Sequence, residues 1–295
     1  MTQIRPRRTA LYVPGSNQRA LDKAGTLGAD VLILDLEDAV APTEKDDARR
    51  RVVEAAVGFR MSGFRGEVVI RCNGLDSPWG HADLAAIVKA APDAVLIPKV
   101  SLAADIERVR AVLRATDAPR LPIWAMIETP RAVLDPLAIA LSADEHWPLA
   151  ALVLGLNDLA RETRARQVAG RAPMMAWMMA ALAAARVAGL DILDGVFNAI
   201  ADHEGFVSEC AAARDCGFDG KTVIHPSQIA SCNAAFSPDA TELALAKRIA
   251  SVFDLPEHAG QGVVMVDGRM VERLHAEMAR RTLAIAAAIT HRSAG

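Results

Sequence analysis

The sequence predicts an α/β protein, a (β/α)8 TIM barrel with a C-terminal helical extension. Three observations lead to this prediction. Short apolar runs alternate along the chain with Ala-rich amphipathic stretches, which is typical of parallel sheets. Eight such pairs fit within the 295 residues. Most of the runs lack apolar/polar alternation, as expected for strands that are covered on both faces.

Each predicted strand has an apolar core, and several end in polar residues. The strands are TALYVP (9–14), DVLILDLE (30–37), EVVIRCN (67–73), AVLIPKV (94–100), PIWAMIE (122–128), ALVLGLN (151–157), DILDGVF (191–197) and GKTVIH (220–225). Helical patterns such as 104–115 and 174–189 lie between them. Because periodicity does not distinguish a closed barrel from an open sheet, a doubly wound sheet is the alternative.

A barrel does not need the last part of the chain. We therefore predict a catalytic barrel over residues 1–235 and a helical extension over 236–295. The extension contains a helical pattern near 239–253, a loop with Gly260 and Gly262, and a long helical pattern from Met270 onwards. We expect it to pack on a neighbouring subunit or to cover the mouth of the site.

Composition excludes several classes of protein. The 33 basic and 36 acidic residues give a net charge of −3, without the clustered basic excess that nucleic-acid binding needs. The four cysteines include no CxxC pair, and no secretory signal follows the basic N-terminus. The longest uncharged apolar stretch, 172–185, is shorter than the ~20 residues of a membrane span. These features predict a reduced, cytoplasmic protein with neither a membrane nor a nucleic-acid partner.

Polar residues collect where the predicted strands end. In a TIM barrel these ends meet at one face, where the active site lies. Interiors avoid such residue types unless they are paired, so several of them on successive strands predict one shared pocket. The residues are Asp35, Glu37, Asp38, Arg71, Asn73, Lys99, Glu128, Asn157, Asp158 and His225.

Glu128 and Asp158 end adjacent predicted strands. Two carboxylates with no His or Cys nearby favour a hard cation such as Mg²⁺ over zinc. The alternative is structural: each carboxylate pairs with Arg71 or Lys99, or Asp158 caps the following helix. The pattern by itself leaves both interpretations open.

Arg71 has a planar fork suited to a carboxylate or enolate oxygen of a ligand. Its alternative is a buried partner for Glu37 or Asp38, which could themselves hold a water molecule or the metal indirectly. Lys99 could form a Schiff base with a carbonyl substrate. We prefer a charge-balancing role for Lys99, because several acids surround it in the predicted pocket.

The segment YVPGSNQ (12–18) is predicted to be a strand-to-helix turn. Pro14 and Gly15 shape the turn, Ser16 or Asn17 caps the helix, and such an N-terminus can hold an anionic group. Basic residues flank it in the sequence, namely Arg7, Arg8, Arg19 and Lys23. They suggest an elongated phosphorylated ligand, although a plain barrel turn is the alternative.

Two further motifs are weak. GFDGKT (217–222) lacks the first glycine of a phosphate-binding loop, since Asp215 occupies that position. His225 is either an acid or a structural hydrogen-bonding group.

The motifs together form a known pattern. RRTALYVPGSN, DVLILDLEDAV, VVIRCNG, AVLIPKV, MIETP, GLNDL and GFDGKTVIHPSQI occur in this order between residues 7 and 229, and NAAFSPDATELALAKRI extends the match. The chain resembles the citrate lyase β-subunit group of the HpcH/HpaI aldolase superfamily, alongside malyl-CoA and citramalyl-CoA lyases. Any one motif is weak, but seven in order are specific.

The resemblance implies a lyase that uses Mg²⁺, with Mn²⁺ as an alternative, to cleave a 3-hydroxyacyl thioester into an acyl thioester and a 2-keto acid. Glu128 and Asp158 would bind the metal, and Arg71 would hold the enolate or keto-acid oxygens. Coenzyme A or carrier-protein pantetheine would contact the N-terminal segment, at Arg8, Tyr12, Pro14, Gly15, Ser16 and Lys23. Relatives commonly form homotrimers or larger homo-oligomers, with the C-terminal segment reaching a neighbour's site.

The chain departs from the lyase pattern at two points. Glu272 in DGRMVERL stands where malyl- and citramalyl-CoA lyases carry an Asp that acts as acid or base, and GLND replaces the GAED usual among citrate lyase β-subunits. Two other enzyme hypotheses therefore stay open: a hydroxyacyl-CoA thioesterase and a metal-dependent aldolase on a free hydroxy acid. A third hypothesis is a non-catalytic subunit of a citrate-lyase-like complex.

Overall fold

A computed structural model describes residues 4–116, 118–258 and 260–293. Eight parallel strands follow one another around a closed barrel, in which β8 pairs with β1 at Lys221 and Thr9. The strands are β1 Thr9–Pro14, β2 Val31–Asp35, β3 Glu67–Arg71, β4 Ala94–Val100, β5 Ile123–Ile127, β6 Leu149–Leu154, β7 Asp191–Asp194 and β8 Gly220–Val223.

Helices follow every strand and cover the outside of the barrel. They are α1 Gln18–Ala24, α2 Lys45–Met61, α3 Gly80–Ala90, α4 Ala103–Ala115, α5 Pro130–Leu134, α6 Pro136–Ala140, α7 Leu156–Thr163, α8 Met175–Ala188, α9 His203–Cys216 and α10 Ile229–Ala235. The predicted TIM barrel is confirmed. The doubly wound alternative is wrong, because the pairing of β8 with β1 leaves the sheet without edges.

The strands alternate between two apolar layers. Side chains such as Ile33, Val69 and Trp124 fill the barrel interior, whereas residues such as Leu34, Ile70 and Ala125 pack against the helices. Successive strand residues point to opposite faces, so the residues that come two positions after the inward ones also face the interior. This alternation carries Asp35 and Arg71 into the carboxyl end of the barrel.

The amino end of the barrel is closed by a separate set of ion pairs. Arg7 donates to Glu67 and to Asp191, each at 2.6 Å, and its guanidinium lies 4.9 Å from the ring of Trp124. Arg8 makes a two-pronged contact with Asp30, at 2.8 and 2.9 Å. Both arginines therefore stabilise the amino end, and their charges are compensated there.

The chain forms two compact units, one from Arg7 to Phe236 and one that contains the tail from Ser237 onwards. The elements of the tail are α11 Ala240–Ser251, β9 Val263–Val266, β10 Arg269–Glu272 and α12 Arg273–Ser293. The predicted loop with Gly260 and Gly262 is present. The predicted helix start at Met270 is wrong, because α12 begins only at Arg273 and β9 and β10 form an antiparallel hairpin. Asp267 and Gly268, both with positive φ, make the tight turn that joins its strands.

Candidate active site

Arg71 and Asp35 form the base of the site. In the barrel, Asp35 lies beside Arg71 in register, and the guanidinium donates to both carboxylate oxygens, at 2.7 and 2.6 Å. The guanidinium also lies 4.9 Å from the ring of Tyr12. Burial opposes the charge, but Asp35 and Glu37 hold the pKa of Arg71 above its usual range. Arg71 is therefore a fixed cation at the carboxyl end of the barrel.

Glu37 connects Arg71 to Lys99. One Glu37 oxygen lies 2.8 Å from Arg71 Nη1, and the other accepts from Lys99 Nζ. Asp38 is more exposed and lies 3.5 Å from Arg71 and 3.4 Å from Lys99. Arg71 thus contacts both Glu37 and Asp38, as the structural alternative for Arg71 predicted. Partial burial disfavours the Lys99 ammonium, but Glu37 and Asp38 keep its pKa above the ordinary value.

This environment bears on the Schiff-base hypothesis. A lysine nucleophile needs a lowered pKa, so that the amine is available unprotonated. Lys99 has a raised pKa and two carboxylate partners. The contacts of Lys99 therefore favour the charge-balancing role.

Glu128 follows β5 and is completely buried. Its Oε1 accepts from the backbone N–H of Lys99 at 2.7 Å, where Lys99 adopts a left-handed φ of 53°. Its Oε2 is buried without a hydrogen-bond partner among the described residues. Burial raises the pKa of Glu128 to about 7, and the nearby Asp158 carboxylate adds to this rise.

Gly155 makes room for the Glu128 carboxylate. A Cβ atom at position 155 would lie 2.3 Å from Glu128 Oε2 and 2.4 Å from Glu128 Cβ, which are distances that no side chain accepts. Gly155 is also the N-cap of α7. Asp158 is thus in the first turn of α7 and not at the cap, so the predicted capping role for Asp158 is wrong.

Asp158 is mostly buried and has one cationic neighbour. The side chain is 14% exposed, and its Oδ1 lies 2.6 Å from Nη2 of Arg161, a largely exposed residue one turn further along α7. The other ion pair of Arg161 is longer, with Nη2 3.5 Å from Oε1 of Glu162. Asp158 Oδ1 is itself buried and has no hydrogen-bond partner among the described residues, so its contact with Arg161 is one that another cation could replace.

The donor set fits a hard divalent cation. Five carboxylates (Asp35, Glu37, Asp38, Glu128 and Asp158) lie near four cations (Arg71, Lys99, Lys45 and Arg161), an excess of one negative charge when all are ionised. In the described part of the chain, no cluster of three or more Asp, Glu, His or Cys side chains is arranged as a metal site. Mg²⁺ is usually held by one or two protein carboxylates together with water and substrate oxygens, and the unpartnered Glu128 Oε2 is available for it.

A cavity of about 490 Å³ adjoins the site. Glu37, Asp38 and Lys99 form one wall, and Trp79 and Val109 lie among the other lining residues. Small-molecule sites commonly have this volume and this mixture of apolar and charged walls.

The β1–α1 turn lies at the same end of the barrel, since it directly follows Pro14. Gly15 donates to the carbonyl of Asp35 at 2.9 Å, and a Cβ at this position would lie 2.8 Å from that oxygen. Asn17 caps α1 by accepting from the N–H of Ala20. The carbonyl of Ser16 accepts from Arg51 at 3.0 Å, a basic residue on α2 that sequence reasoning missed.

The structure does not bring all the predicted site residues together. Arg8 is at the amino end of β1, paired with Asp30, and the six residues of the strand put about 20 Å between it and the turn. Its predicted contact with a ligand at the carboxyl end is therefore wrong. The ring of Tyr12 lies inside the barrel beneath Arg71, Lys23 is exposed in the last turn of α1, and Glu272 ends β10 in the tail unit.

Other conspicuous polar residues have structural partners. His225 caps the short helical turn Pro226–Gln228. Lys221 of GFDGKT is fully buried and pairs with Asp194 at 2.8 Å and with Glu209 at 2.6 Å, which agrees with the rejection of a phosphate-binding loop. Asn157 accepts from Gln167 and from Asn198, each at 2.7 Å.

Besides Arg51, sequence reasoning missed three contributors: Asp35 as the partner of Arg71, Gly155, and Lys45, whose Nζ lies between the ends of β2 and β3. Strand parity could have found Asp35, because it continues the inward series Val31 and Ile33. No sequence signal marks Gly155 or Lys45, since their roles come from contacts between distant segments.

A TIM barrel with paired carboxylates, an arginine and a lysine at its carboxyl end has the architecture of a barrel enzyme. Residues 8–226 match the model of the HpcH/HpaI aldolase/citrate lyase family. The chain belongs to this family. The resemblance on which the sequence prediction rested is thereby confirmed.

Relatives within the family carry two different names. A (3S)-malyl-CoA thioesterase of Cereibacter sphaeroides is 49% identical over 287 residues, which cover 97% of both chains. The citrate lyase subunit beta of Escherichia coli is 34% identical and covers 95% of this chain and 93% of its own.

Solved structures agree with this assignment. CitE of Mycobacterium tuberculosis, in complex with magnesium, acetoacetate and coenzyme A, has a TM-score of 0.76 and 28% identity, covering 95% of this chain and 97% of that chain. The citrate lyase beta subunit of the same organism, complexed with oxaloacetate and magnesium, has a TM-score of 0.69 and the same identity; it covers 81% of this chain and all of that chain. Within the described residues, no helix is both long and apolar enough to cross a membrane.

Proposed function

We propose that this protein is a Mg²⁺-dependent carbon–carbon lyase that acts on a short 3-hydroxyacyl thioester of coenzyme A, such as malyl-, citramalyl- or citryl-CoA. The observation that carries the proposal is the grouping of Arg71, Glu128 and Asp158 at the carboxyl end of the barrel. The names of its relatives supply the substrate class, because they include malyl-CoA, citrate, coenzyme A and magnesium.

The proposed reaction breaks the bond between C2 and C3 of the thioester. The 3-hydroxyl loses its proton, its C–O bond becomes the carbonyl of the 2-keto acid, and the electrons of the broken bond form a thioester enolate. Protonation of that enolate at C2 gives the acyl-CoA product. Glu128 and Asp158 would hold Mg²⁺, which when bound polarises the oxygens of the hydroxy or keto acid.

Arg71 would provide positive charge next to the reacting oxygens. It is held rigidly by Asp35 and Glu37, so its orientation costs little at the moment of reaction. Lys99, anchored by Glu37, would stay protonated and reduce the negative charge of the pocket. Asp38 is the more exposed neighbour of both cations and would face the entering substrate.

We assign the thioester carrier, coenzyme A or a carrier-protein pantetheine, to the β1–α1 turn. Pro14, Gly15 and Ser16 are the residues of this turn at the carboxyl end of the barrel, and Lys23 is the exposed base on the helix that follows. Tyr12 would act indirectly, through its contact with the Arg71 guanidinium. Arg8 is omitted, because Asp30 holds it at the other end.

Glu272 is proposed as the residue that exchanges protons with the substrate, on the basis of its position in the tail motif.

We also propose that the protein is a homotrimer or a larger homo-oligomer. Apolar side chains of the tail support this, because they are about half or more exposed in the single chain. They are Val263, Met265, Met270, Leu274 and Met278.

A second candidate reaction is hydrolysis of the thioester, without cleavage of the carbon chain. One observation favours it: the relatives that are 45–49% identical to this chain are named (3S)-malyl-CoA thioesterase. The same metal and arginine would orient the hydroxy acid, with water as the attacking group at the thioester carbonyl.

The products distinguish the candidates. Purified protein is incubated with Mg²⁺ and each of malyl-, citramalyl- and citryl-CoA, and keto acid, free thiol and acyl-CoA are measured together. EDTA-sensitive release of keto acid with acyl-CoA supports the lyase. Free CoA with the intact hydroxy acid supports the thioesterase. The absence of both, in wild-type protein whose Mg²⁺ binding is verified by calorimetry, rejects an enzymatic role on these substrates and favours a non-catalytic subunit.

The matched variants are Glu128→Gln and Glu54→Gln. Both substitutions remove one negative charge, but Glu54 is an exposed residue on α2. We expect Glu128→Gln to lower kcat/KM at least about a hundredfold, because the proposed Mg²⁺ site would lose one of its two carboxylates. Glu54→Gln should behave like wild type.

A further inference from the structure

Lys45 occupies a position that is unfavourable for a lysine. It is the first residue of α2 and only 6% exposed. A cation at a helix N-terminus opposes the helix dipole, and burial of an ammonium group is costly unless hydrogen bonds compensate for it. Specific contacts must therefore hold Lys45 in place.

All three protons of the Lys45 ammonium have acceptors. Nζ donates to the carbonyl of Leu36 at 2.8 Å, to the carbonyl of Glu37 at 2.7 Å and to Oδ1 of Asn73 at 2.8 Å. The acceptors are uncharged, so Lys45 grips the backbone of the β2–α2 loop and does not form a direct ion pair with an acid. The ring of Trp79, 5.3 Å from Nζ, lies beside it.

Asn73 joins this contact to the next strand. Its Nδ2 donates to the same Leu36 carbonyl at 2.9 Å and to Asp83 at 2.6 Å. Asp83 is fully buried and pairs with Arg49 of α2 at 2.6 Å. The loop after β2, the end of β3 and the helices α2 and α3 are thus connected through one polar network.

The segment that this network holds is the one that carries Glu37. The Glu37 carboxylate has two partners on different strands, Arg71 and Lys99. It reaches both of them only while its own backbone stays in place. Lys45 binds the backbone carbonyl of Glu37, the same residue whose side chain contacts Arg71 and Lys99.

We propose that Lys45 is a positioning residue for the reaction: it fixes the Leu36–Glu37 peptide so that Glu37 can hold Arg71 and Lys99 in their working orientation. Its catalytic consequence rests on the proposed function. Its effect on the loop does not, and the two parts have separate tests.

The first test needs no substrate. Amide hydrogen exchange is compared in wild type, Lys45→Met and Lys89→Met, which makes the same change at an exposed lysine of α3. We expect the segment 36–40 to exchange at least about tenfold faster in Lys45→Met alone, as local opening becomes easier, while the strands β5 to β8 keep wild-type protection. Unchanged exchange in 36–40 in a folded Lys45→Met protein would overturn the proposal.

The second test is a double-mutant cycle with Glu37→Gln. If Lys45 acts through Glu37, Lys45→Met lowers kcat about 10- to 100-fold, the scale of a 1 Å misplacement, but has little further effect in the Glu37→Gln background. A purely structural role would instead give multiplicative effects. Fully multiplicative effects on kcat, which are additive in activation free energy, would therefore contradict a role through Glu37.

Failure of the proposed function looks different from failure of this inference. Wild-type protein that is silent on every thioester counts against the proposed function, and the exchange experiment still decides the role of Lys45. If Lys45→Met does not fold, Lys45→Gln, which retains a neutral donor, takes its place. Faster exchange in 36–40 is then expected again, and wild-type exchange there would again overturn the proposal.

Discussion

Glu128 differs from an ordinary structural carboxylate in three ways. It is completely buried, it accepts a single backbone hydrogen bond from Lys99, and its other oxygen lacks a partner among the described residues. Buried charges are normally paired or coordinate a metal. Glu128 therefore lowers the stability of the fold when ionised, as functional residues often do.

This gives a prediction for pH and stability. The folded-state pKa of about 7 exceeds the ordinary 4.5, so the folded protein binds the extra proton between these values. The Glu128 contribution to the free energy of unfolding is complete below about pH 4.5 and is lost as the pH rises through 7. At about pH 8 with a chelator, Glu128→Gln should be more stable than wild type by more than about 1 kcal/mol.

Urea unfolding of both proteins between about pH 5 and pH 8 measures this effect. The difference should shrink toward pH 5, where wild-type Glu128 is protonated. Parallel stability curves for wild type and Glu128→Gln over this range would contradict it. Glu54→Gln serves as the control, since Glu54 is exposed.

Arg161 offers a second prediction at this scale. Its guanidinium lies 2.6 Å from Asp158 Oδ1, so it competes with a metal ion for that carboxylate. Arg161 is 66% exposed, and ion pairs that involve such a side chain contribute about 1 kcal/mol. Arg161→Gln should therefore tighten Mg²⁺ binding about two- to fivefold, measured by titration calorimetry. Arg166→Gln, the same change at a nearby exposed arginine, should leave the affinity unchanged; equal effects of both would show a general charge effect instead.

At the scale of elements, the strand ends determine what each residue can do. Alternate side chains of a strand point into the barrel, so Asp35 follows the inward-facing Val31 and Ile33. In the same way, Arg71 follows Val69. At the end of β4 the pairing with β5 shifts between Ile97 and Val100, and there Lys99 takes its left-handed conformation and donates to Glu128. An irregularity in one strand thus completes the site on the next.

The β6–α7 turn gives a prediction of the same kind. Gly155→Ala would place a Cβ 2.3 Å from Glu128 Oε2, and the side chain of Glu128 would have to move. Overpacking of this type costs about 1–3 kcal/mol, and we expect Mg²⁺ affinity to fall at least about tenfold. Thermal unfolding and calorimetry measure the two effects.

Gly58→Ala is the matched control for this substitution. Gly58 lies in α2, and a Cβ there meets no atom within 4 Å, so the variant should be slightly more stable by about 0.5–1 kcal/mol. Wild-type Mg²⁺ affinity in Gly155→Ala would contradict the role of Gly155 as the residue that makes room for Glu128.

The elements also show where sequence reasoning succeeded. The predicted limits of β1 and β4 agree with the structure, and β2 ends at Asp35 rather than at residue 37, where the backbone turns so that Lys45 can bind it. The tail hairpin was missed although its signal was present: Asp267–Gly268 between VVMV and RMVE is a typical hairpin turn. The helical pattern that follows it, from Arg273 onwards, obscured the strand.

At the scale of the whole molecule, the amino end of the barrel has a structural role and the carboxyl end forms the candidate site. The amino end consists of compensated ion pairs of Arg7 and Arg8, and the carboxyl end holds an excess of carboxylates. Arg7 and Arg8 are therefore not available for the phosphorylated ligand that the sequence had suggested. The small net charge of −3 hides a difference between the two ends: charges are compensated at the amino end, and carboxylates are in excess at the carboxyl end.

The tail unit gives a prediction about assembly. Met265 and Met270 face each other across the hairpin and are each about 60% exposed (63% and 61%), as is Met278 on α12. Exposed apolar groups of this kind mark interaction sites. The double variant Met270→Lys/Met278→Lys should lower the mass measured by light scattering toward that of a single chain, with circular dichroism unchanged.

Met61→Lys is the control, because Met61 is 84% exposed on the barrel unit. It should keep the wild-type mass. A double variant that retains the wild-type mass would show that the tail does not form the interface.

The sequence by itself determined the alternation of strands and helices, because strand periodicity is a local property. Through the resemblance that the order of its motifs carries, it also predicted the barrel, the carboxylate pair and the arginine. Only the tertiary structure decided which side chains meet. In the structure, Asp35 pairs with Arg71, and Gly155 lies against Glu128. Lys45 binds the backbone of Glu37, and Arg8 lies at the amino end of the barrel. These contacts link residues distant in sequence, so they depend on strand register and on close packing rather than on any local pattern.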